Sequence, residues 1–399
     1  MNCDEVMIDE ATQRFVAEHA DGDVRQLALQ ASRWPDVDMA LALDQIAGRQ
    51  AALRKLPRWA ATPGIVYPPH LALEQCSSEM TADYKASLLP PSGGTLVDLT
   101  GGLGVDCAAM APRFERVTYV ERQEQLCRLA RHNFVQLGLN HVEVVNADSV
   151  DYLHTMPLVD VIFLDPARRD TAGRRTYAIS DCSPDVAQLA SELLEKAPLV
   201  MVKLSPMLDV SQTLSVLPSV SDVHIVSKGG ECKELLLLLR HGATSPVTLH
   251  CVDDGEVFIV ERGSAVLPAP VWDGQWHEGL CLYEPNPSMM KAGCFDHVAA
   301  HYGLSVVSRD SHLMVGRPLT AFQGRVFEVV TVTTMNKREL RRALEGIEKA
   351  NVAVRNFPLS AAELSRRLHV RDGGQYYIFA TTTAQGKHVL FVTRKMQVT

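Results

Sequence analysis

The sequence lacks the long apolar runs that membrane-spanning helices need. No stretch approaches the roughly 18 to 20 uninterrupted apolar residues of such a helix, and the run from Leu235 to Leu239 has only the length of a strand. The first ten residues, MNCDEVMIDE, are acidic and contain neither the basic nor the apolar region of a secretory signal. These absences predict a soluble, cytoplasmic protein without a membrane partner.

Cysteine motifs are also missing, because the nine cysteines are scattered along the chain without a CxxC pair. An odd number of cysteines argues against a disulfide framework, and the absence of zinc-like spacing argues against a structural zinc site. We therefore expect reduced thiols and no metal site. The hydrophobic fraction of 46% and the charged fraction of 22% are those of a chain that is folded nearly throughout.

The charge of the chain is unevenly distributed. The formal net charge is −8, which argues against a protein that coats nucleic acid over its whole surface. Residues 331–399, however, contain twelve basic and five acidic side chains and carry +7, so the remainder of the chain carries −15. A basic C-terminal module is attached to an acidic body.

The hydrophobic pattern changes near Thr95. Residues 1–90 show apolar residues at three- and four-residue spacing, which predicts helices. From Thr95 onward, helix-length segments separate seven short apolar runs: TLVDLT, VTYVE, HVEVVNA, DVIFLDP, PLVMVKL, DVHIVS and ELLLLLR. This alternation predicts βαβ units and a parallel sheet, and the last two runs, separated only by residues 228–232, predict an antiparallel hairpin at the sheet edge.

The remaining third of the chain mixes strand and helix patterns. Two strand-like pieces, VTLHCV and EVFIVERG, precede a helix-like segment, PSMMKAGCFDHVAAHYG. A further stretch contains FEVVTVTTM, the helical pattern KRELRRALEGIEKA, and then VAVRNF, LSAAELSRRLHV, QYYIFATTT and HVLFVTR. We expect one or two small α+β modules here.

A glycine-rich turn follows the first predicted strand, in VDLTGGLGVD at residues 97–106. Glycines at such a turn let the backbone approach a ligand and direct amide groups at it from the start of a helix. The glycines at 101, 102 and 104 fit the dinucleotide fingerprint G-x-G-x-x-G poorly. Gly102 and Gly104 have the spacing of its first two glycines, but the third glycine of the motif does not follow at the required spacing. An ordinary strand-to-helix turn remains the alternative.

Acidic side chains end the first three predicted strands. Asp98 precedes the glycine turn, Glu121 closes the next strand, and Asp148 ends the one after it. An acid at the position of Glu121 is suited to accept hydrogen bonds from ribose hydroxyls. Three acids at successive strand ends are a more specific signal than the glycine turn alone.

This pattern resembles the class I S-adenosylmethionine-dependent methyltransferases. Asp98 matches the acid of their x-G-x-G-x-G motif, Gly102 and Gly104 match two of its glycines, and Thr100 replaces the first. The resemblance implies a Rossmann-like α/β core with seven strands and a site for S-adenosylmethionine. It implies cofactor contacts from Asp98, Thr100, Gly101, Gly102, Gly104, Glu121 and Asp148, with Asp148 at the adenine amino group.

The segment DVIFLDPARRD, residues 160–170, occupies the position of the catalytic loop in that superfamily. Relatives with N/D-P-P-Y there orient an amino group for methylation through the polar side chain and the next carbonyl. The resemblance makes Asp165 and Pro166 the catalytic candidates. The segment DPAR lacks the second proline and the aromatic residue of that motif. Whether the methyl group is transferred to an exocyclic amine therefore stays open.

Substrate contacts are expected from the loops that follow the fourth and fifth strands. Arg168 and Arg169 could bind phosphate or a carboxylate, or could instead form a surface pair with Asp170 or Asp160. Lys203 and Ser205, in KLSPMLD, are further candidates for substrate contact. Cys182 could serve as a covalent nucleophile, although the expected Pro-Cys signature is missing and a packed cysteine is the simpler interpretation.

The flanking segments narrow the resemblance to a bacterial methyltransferase family with a THUMP-like C-terminal domain. They read WAATPGIVYPPHLALEQCSSEMTADYKA, YEPNPSMMKAG and VRNFPLSAAELSRRLHVRDGGQYYIFATT. The implied organisation is a helical domain at 1–90, a methyltransferase domain at 91–245, a ferredoxin-like α+β module at 246–330 and a THUMP-like basic domain at 331–399.

THUMP domains bind RNA, so the resemblance implies an RNA partner held by residues 331–399. Basic and aromatic residues interleaved in this segment support that interpretation: Arg355, Phe357, Arg366, Arg367, Arg371, Tyr376 and Tyr377. Solvated arginines and core aromatics are the alternative. The favoured function is methylation of a nucleobase, at nitrogen, in RNA such as tRNA or rRNA. A protein or small-molecule acceptor, or a non-catalytic RNA-binding protein, remains open, and the oligomeric state is unknown.

Overall fold

The computed structural model describes residues 8–68, 70–168, 179–242 and 246–396, with the backbone alone at 70–72 and 168. The chain forms two compact units. The first contains Met1–Ser221 and Leu236–Thr244, and the second contains Asp222–Leu235 and Ser245–Thr399. No helix in the described ranges is both long enough and apolar enough to cross a membrane.

The first unit begins with helices, as the sequence predicts. They are α1 (Glu10–Glu18), α2 (Val24–Leu29), α3 (Met39–Lys55), α4 (Pro57–Ala61), α5 (His70–Gln75) and α6 (Glu79–Ser87), with a 3-10 turn at Ala31–Arg33. Side-chain oxygens at the residue before the helix cap several of them; Ser78, for example, accepts a hydrogen bond from the Thr81 backbone N–H at the start of α6. Tyr67, between α4 and α5, belongs to an apolar cluster with Trp59 and Leu129.

Strands and helices then alternate. The strands are β1 (Thr95–Asp98), β2 (Arg116–Glu121), β3 (Val142–Asn146), β4 (Val161–Leu164), the short antiparallel pair β5 (Ala167–Arg168) and β6 (Cys182–Ser183), and β7 (Leu199–Leu204). The helices are α7 (Val105–Met110), α8 (Glu124–Gln136), α9 (Ser149–Thr155), α10 (Val186–Lys196) and α11 (Val210–Val216), with 3-10 turns at Ala111–Arg113 and Ile179–Asp181. Buried side chains such as Leu96, Tyr119 and Phe163 form the core of this sheet.

Four further strands follow: β8 (Val220–Lys228), β9 (Glu231–Arg240), β10 (Thr248–Asp253) and β11 (Glu256–Glu261). The complete sheet has the order β3-β2-β1-β4-β7-β9-β8-β10-β11. All seven predicted strands are present, and β1 pairs in parallel with both β2 and β4. The predicted position of the hairpin at the sheet edge is wrong, because β10 pairs in parallel with β8 and β11 lies beyond it.

A second sheet lies in the second unit. Its strands are β12 (Cys281–Pro285), β13 (Ser305–Val306), β14 (Met314–Gly316), β15 (Gly324–Thr333), β16 (Lys349–Arg355), β17 (Arg371–Thr382) and β18 (His388–Lys395). They run in the order β13-β14-β12-β15-β18-β17-β16. Four helices accompany them: α12 (Pro287–Ala292), α13 (Phe295–Tyr302), α14 (Lys337–Ala343) and α15 (Ala361–Leu368).

Two predicted helices are interrupted at glycines. The segment PSMMKAGCFDHVAAHYG forms α12 and α13 rather than one helix, because Gly293 takes the left-handed conformation with φ +67°. The helical pattern KRELRRALEGIEKA ends at Ala343, Gly346 has φ +77°, and the last two residues, Lys349 and Ala350, already belong to β16. Gly346 and strand pairing outweigh the helical periodicity of this segment.

Candidate functional site

The three predicted acids meet at one edge of the parallel sheet. Asp98 is the last residue of β1, Glu121 is the last residue of β2, and Asp148 caps α9 just after β3. These strands are neighbours, so their carboxyl ends lie side by side at the edge where α/β proteins bind ligands. Asp98 and Glu121 are buried, whereas Asp148 is exposed.

The glycines of the turn between β1 and α7 have different physical roles. A Cβ atom at Gly101 would overlap the ring of Tyr119, and one at Gly104 would lie 2.9 Å from Phe134 Cζ. Close packing therefore requires both glycines. Gly102 has φ +55°, and a Cβ there would meet nothing nearer than the Thr100 carbonyl oxygen at 3.9 Å. The backbone is thus open to a ligand at Gly102.

Backbone amides fix the carboxylate of Glu121. Glu121 Oε2 accepts a hydrogen bond from the Gly102 N–H at 3.0 Å, and Oε1 accepts one from the Gln123 N–H at 2.8 Å. The Tyr119 hydroxyl donates to the Gly102 carbonyl oxygen, so both backbone polar groups of Gly102 are held. Because each carboxylate oxygen can accept more than one hydrogen bond, Glu121 keeps acceptor capacity for a ligand.

The same turn positions the predicted catalytic loop. Thr100 Oγ1 accepts a hydrogen bond from the Asp165 N–H at 2.5 Å, and the Thr100 N–H donates to Asp98 Oδ1 at 3.0 Å. Asp165 follows β4, its side chain is 37% exposed, and the next residue, Pro166, is buried. Asp98, Thr100 and Asp165 therefore form one connected group.

A buried charge network lies behind this group. The sequence analysis names two of its members, Asp165 and Lys203, as site residues but misses Lys85, Asp106 and Ser77. Lys85, on α6, is fully buried and lies 3.2 Å from Asp106 Oδ1, on the first turn of α7. Asp106 Oδ2 accepts a hydrogen bond from the Ser77 hydroxyl at 2.7 Å and lies 3.7 Å from Lys203 Nζ. Lys203 Nζ also donates to Asp165 Oδ2.

Two signals in the sequence could have identified this network. Lys85 interrupts the apolar pattern of α6, and Asp106 stands in the first helical turn after the glycines. A charged residue at a buried helix position requires a partner of opposite charge. The partner is not evident from the sequence, because Lys85 and Asp106 lie on different helices.

The network sets the ionisation of Asp106. Burial alone would raise its pKa, but the ammonium groups of Lys85 and Lys203 and the Ser77 hydroxyl outweigh burial and hold the pKa below its ordinary value. Asp106 is thus a carboxylate. Its negative charge balances Lys85 and helps to orient Lys203 toward Asp165.

Asp98 is affected in the opposite direction. Burial raises its pKa well above the ordinary value, the Thr100 N–H opposes that shift, and the nearby charges of Asp106, Asp165 and Glu121 raise the pKa further. Ionisation of Asp98 is thus disfavoured by burial and by the acids around it, and none of its described contacts is a directly bonded cation. A ligand that brings positive charge or hydrogen-bond donors would relieve this repulsion.

Two of the remaining predicted site residues, Ser205 and Arg168, lie in the segments that follow β7 and β4. Ser205 follows β7, and its hydroxyl accepts a hydrogen bond from the Met207 N–H at 3.3 Å. The backbone of Arg168 pairs with that of Cys182, which is buried. Arg169 and the side chain of Arg168 lie outside the described part of the chain.

Two family matches cover the C-terminal third of the chain. Residues 282–322 match the family described as a ferredoxin-like domain, and residues 324–395 match the family described as THUMP domain-like. These matches confirm the presence of the two modules that the resemblance implies. Both segments contribute strands to the second sheet.

Two relatives match most of the chain. A crystal structure of a protein from Porphyromonas gingivalis W83, assigned as a methyltransferase, is 32% identical with a TM-score of 0.84 and covers 98% of this chain and 100% of that one. An uncharacterized S-adenosylmethionine-dependent methyltransferase from Mycobacterium tuberculosis (strain CDC 1551 / Oshkosh) is 25% identical over 322 residues, which are 79% of this chain and 84% of the relative.

The substitution Asp98→Asn is expected to raise the unfolding midpoint at pH 7. Because the folded-state pKa of Asp98 is raised above the ordinary value of 3.8, the unfolded chain loses this proton first and stability falls as the pH rises above 3.8. The amide of Asn does not titrate and keeps the acceptor for the Thr100 N–H. The gain should shrink as the pH falls toward 3.8, because below that value Asp98 is protonated in both the folded and the unfolded chain. Thermal unfolding followed by circular dichroism between pH 4 and about pH 8 measures both effects.

The matched control is Asp148→Asn, the same chemical change at the exposed strand-end acid. This substitution should not raise the unfolding midpoint at pH 7, because the Asp148 side chain is solvated and caps α9. An Asp98→Asn variant less stable than the wild type at pH 7 would contradict the raised pKa of Asp98.

Proposed function

Since the chain belongs to the family of class I S-adenosylmethionine-dependent methyltransferases with a THUMP-like domain, we propose that it methylates a nucleobase nitrogen in RNA. The enzyme class and the cofactor follow from the relatives. The nature of the acceptor is the proposal, and the observation that carries it is the group of exposed basic residues on the THUMP-like segment.

The acids at the strand ends fit S-adenosylmethionine, which presents an ammonium group, ribose hydroxyls and an adenine amino group as donors. We propose that Asp98, Glu121 and Asp148 accept hydrogen bonds from these donors, while the turn Thr100, Gly101, Gly102 and Gly104 forms the adjoining wall. The positive charge of the cofactor would relieve the repulsion among Asp98, Asp106, Asp165 and Glu121. The cofactor supplies an electrophilic methyl group on a sulfonium sulfur.

Asp165 is proposed to orient the acceptor nitrogen. Its backbone is tied to Thr100 and its carboxylate is paired with Lys203, so the side chain has a defined position beside the cofactor turn. A carboxylate in that position accepts a hydrogen bond from an amino group and directs the nitrogen lone pair. Pro166, which follows in the chain, is proposed to shape the same loop. In this arrangement Lys203 is a positioning residue that acts through Asp165.

The proposed RNA surface consists of helices α14 and α15. Leu340 of α14 and Leu364 of α15 pack into the same apolar cluster, so the two helices cover the same side of the second sheet. Their opposite faces carry six exposed cations, which we call the basic helix surface: Lys337, Arg338, Arg341, Arg342, Arg366 and Arg367. Exposed arginines and lysines of this kind bind phosphate groups and make affinity strongly dependent on salt.

The aromatic residues of this segment are engaged elsewhere. Phe357 and Tyr376 pack against the apolar cluster under the helices, and Tyr377 packs against Phe327. Arg355 is ion-paired with Glu284, and Arg371 with Glu348. We therefore propose that RNA affinity comes from phosphate contacts on the basic helix surface rather than from base stacking on these rings.

Glu121→Ala is expected to weaken binding of S-adenosylhomocysteine by about 10- to 100-fold, because it removes charged hydrogen-bond acceptors that contribute roughly 1.5–3 kcal/mol. Isothermal titration calorimetry measures the dissociation constant. Glu124→Ala is the matched control, since Glu124 lies three residues further on, is exposed and pairs with Arg128. Equal affinity of both variants and the wild type would refute the cofactor contact.

Asp165→Ala is expected to lower the rate of methyl transfer by about 10²- to 10⁴-fold while leaving S-adenosylhomocysteine affinity within a few-fold of wild type. The assay follows labelled methyl groups from S-adenosylmethionine into RNA and protein fractions from cells that lack this gene. Label in RNA that disappears with Asp165→Ala supports the proposal. Label confined to protein or to small molecules contradicts the RNA acceptor, and unlabelled RNA that still binds the chain would indicate a non-catalytic binding protein.

The double substitution Arg341→Glu and Arg342→Glu is expected to weaken RNA binding and to reduce its salt dependence by about 0.7 per lost phosphate contact in a plot of log K against log salt concentration. Fluorescence anisotropy with labelled RNA at several salt concentrations gives the slope. The control is Arg14→Glu with Arg25→Glu, which makes the same charge change on exposed residues of α1 and α2. The same loss in both double variants would show that net charge alone, and not the basic helix surface, controls binding.

A further inference from the structure

Two neighbouring strands bring together three metal-ligating side chains. Strands β8 and β10 pair in parallel with His224 opposite His250 and Asp222 opposite Thr248. Since side chains alternate between the two faces of a strand, Asp222 and His224 lie on the same face, and cross-strand pairing places His250 there too. All three residues belong to the second unit.

The ligand atoms of this group lie close enough for one ion to bind all three once the two imidazole rings turn out of their parallel stack, because an imidazole binds a metal in the plane of its ring. Each residue offers one ligand atom, and the three atoms lie within 4.8 Å of one another. His250 Nε2 is 3.1 Å from Asp222 Oδ1. Bonds of about 2.0–2.2 Å at tetrahedral angles place neighbouring ligands about 3.3 Å apart. Among the described residues, this is the only group of three or more histidine, cysteine, aspartate or glutamate residues close enough to hold an ion.

Ring stacking holds the buried His224 of this group, and Asp222 and His250 are partly exposed to solvent. His224 is 4% exposed and its ring stacks on that of His250, with centroids 4.1 Å apart and planes 8° from parallel. The side chains of Asp222 and His250 are 26% and 19% exposed. On β11, the residue opposite His250 is Ile259, which is 59% exposed. Solvent can therefore reach the group.

We propose that Asp222, His224 and His250 bind one divalent transition-metal ion of the Zn²⁺ class. Two imidazoles and one carboxylate are nitrogen and oxygen ligands that this class prefers, and three protein ligands leave a fourth position for water. The bound ion would link β8 to β10, which are separated by about twenty residues along the chain. The sequence analysis expects no metal site, and the proposal is independent of the cofactor and of RNA.

The hydrogen bond between His250 and Asp222 is the competing explanation for the arrangement. A stacked and hydrogen-bonded trio could stabilise the strand pair without any ion. The two explanations differ in whether a ring that stacks but cannot ligate can replace His250. His250→Phe is therefore the informative variant, because it retains an aromatic ring and removes the ligand nitrogen.

The test is equilibrium dialysis of the full-length reduced protein against micromolar ZnCl₂, with bound zinc measured by mass spectrometry. The wild type and the control His277→Ala, which removes an exposed histidine of the same unit, are expected to bind one more equivalent than His250→Phe and Asp222→Asn. The loss of affinity should reach at least about a hundredfold. Comparison among variants with the same cysteines separates this site from thiol-bound zinc.

A second measurement follows the unfolding midpoint with and without Zn²⁺. The ion should raise the midpoint of the wild type and of His277→Ala but not of His250→Phe, because a ligand stabilises only the folded state that binds it. Equal zinc stoichiometry in all four proteins, or no zinc bound by the wild type, overturns the proposal. Both readouts are independent of methyl transfer, so failure here leaves the proposed function untouched.

Discussion

The geometry of the candidate site depends on a buried ion pair between Lys85 and Asp106. An ammonium group with no exposed surface is costly unless a charged partner and hydrogen bonds compensate it. Asp106 supplies the charge and Ser77 supplies a hydrogen bond, so helix α6 is fixed to the start of α7. Because α7 begins at the glycine turn, the same pair fixes the position of the turn relative to the helices before it.

The ion pair continues into the proposed chemistry through Lys203. This side chain lies close to both Asp106 and Asp165, and Asp165 is tied by its backbone to Thr100. The glycine turn, the proposed catalytic loop and helix α6 are thus connected by polar contacts in a buried region, where such contacts are strong and costly to break. The raised pKa of Asp98 fits this picture, since perturbed pKa values cluster at functional sites.

Features encoded by local periodicity could be predicted from the sequence. Alternating apolar runs gave the seven strands, and Asp98, Glu121 and Asp148 could be placed together because the carboxyl ends of parallel strands share an edge. Features that depend on partners distant in sequence could not be predicted. Lys85 and Asp106 lie on separate helices, and His224 and His250 meet only because β10 extends the sheet beyond the hairpin. The predicted helix lengths are wrong where Gly293 and Gly346 adopt the left-handed conformation and end a helix.

The second sheet crosses the boundary between the two family matches. Strand β12, in the ferredoxin-like segment, pairs with β15 of the THUMP-like segment, and buried Glu284 binds Arg325 and Arg355 on the other side of that boundary. A cut near residue 323 would break a strand ladder and leave a buried carboxylate without its cations. The two segments therefore share one sheet and one set of buried ion pairs, so gene rearrangements are expected to move them together rather than separately.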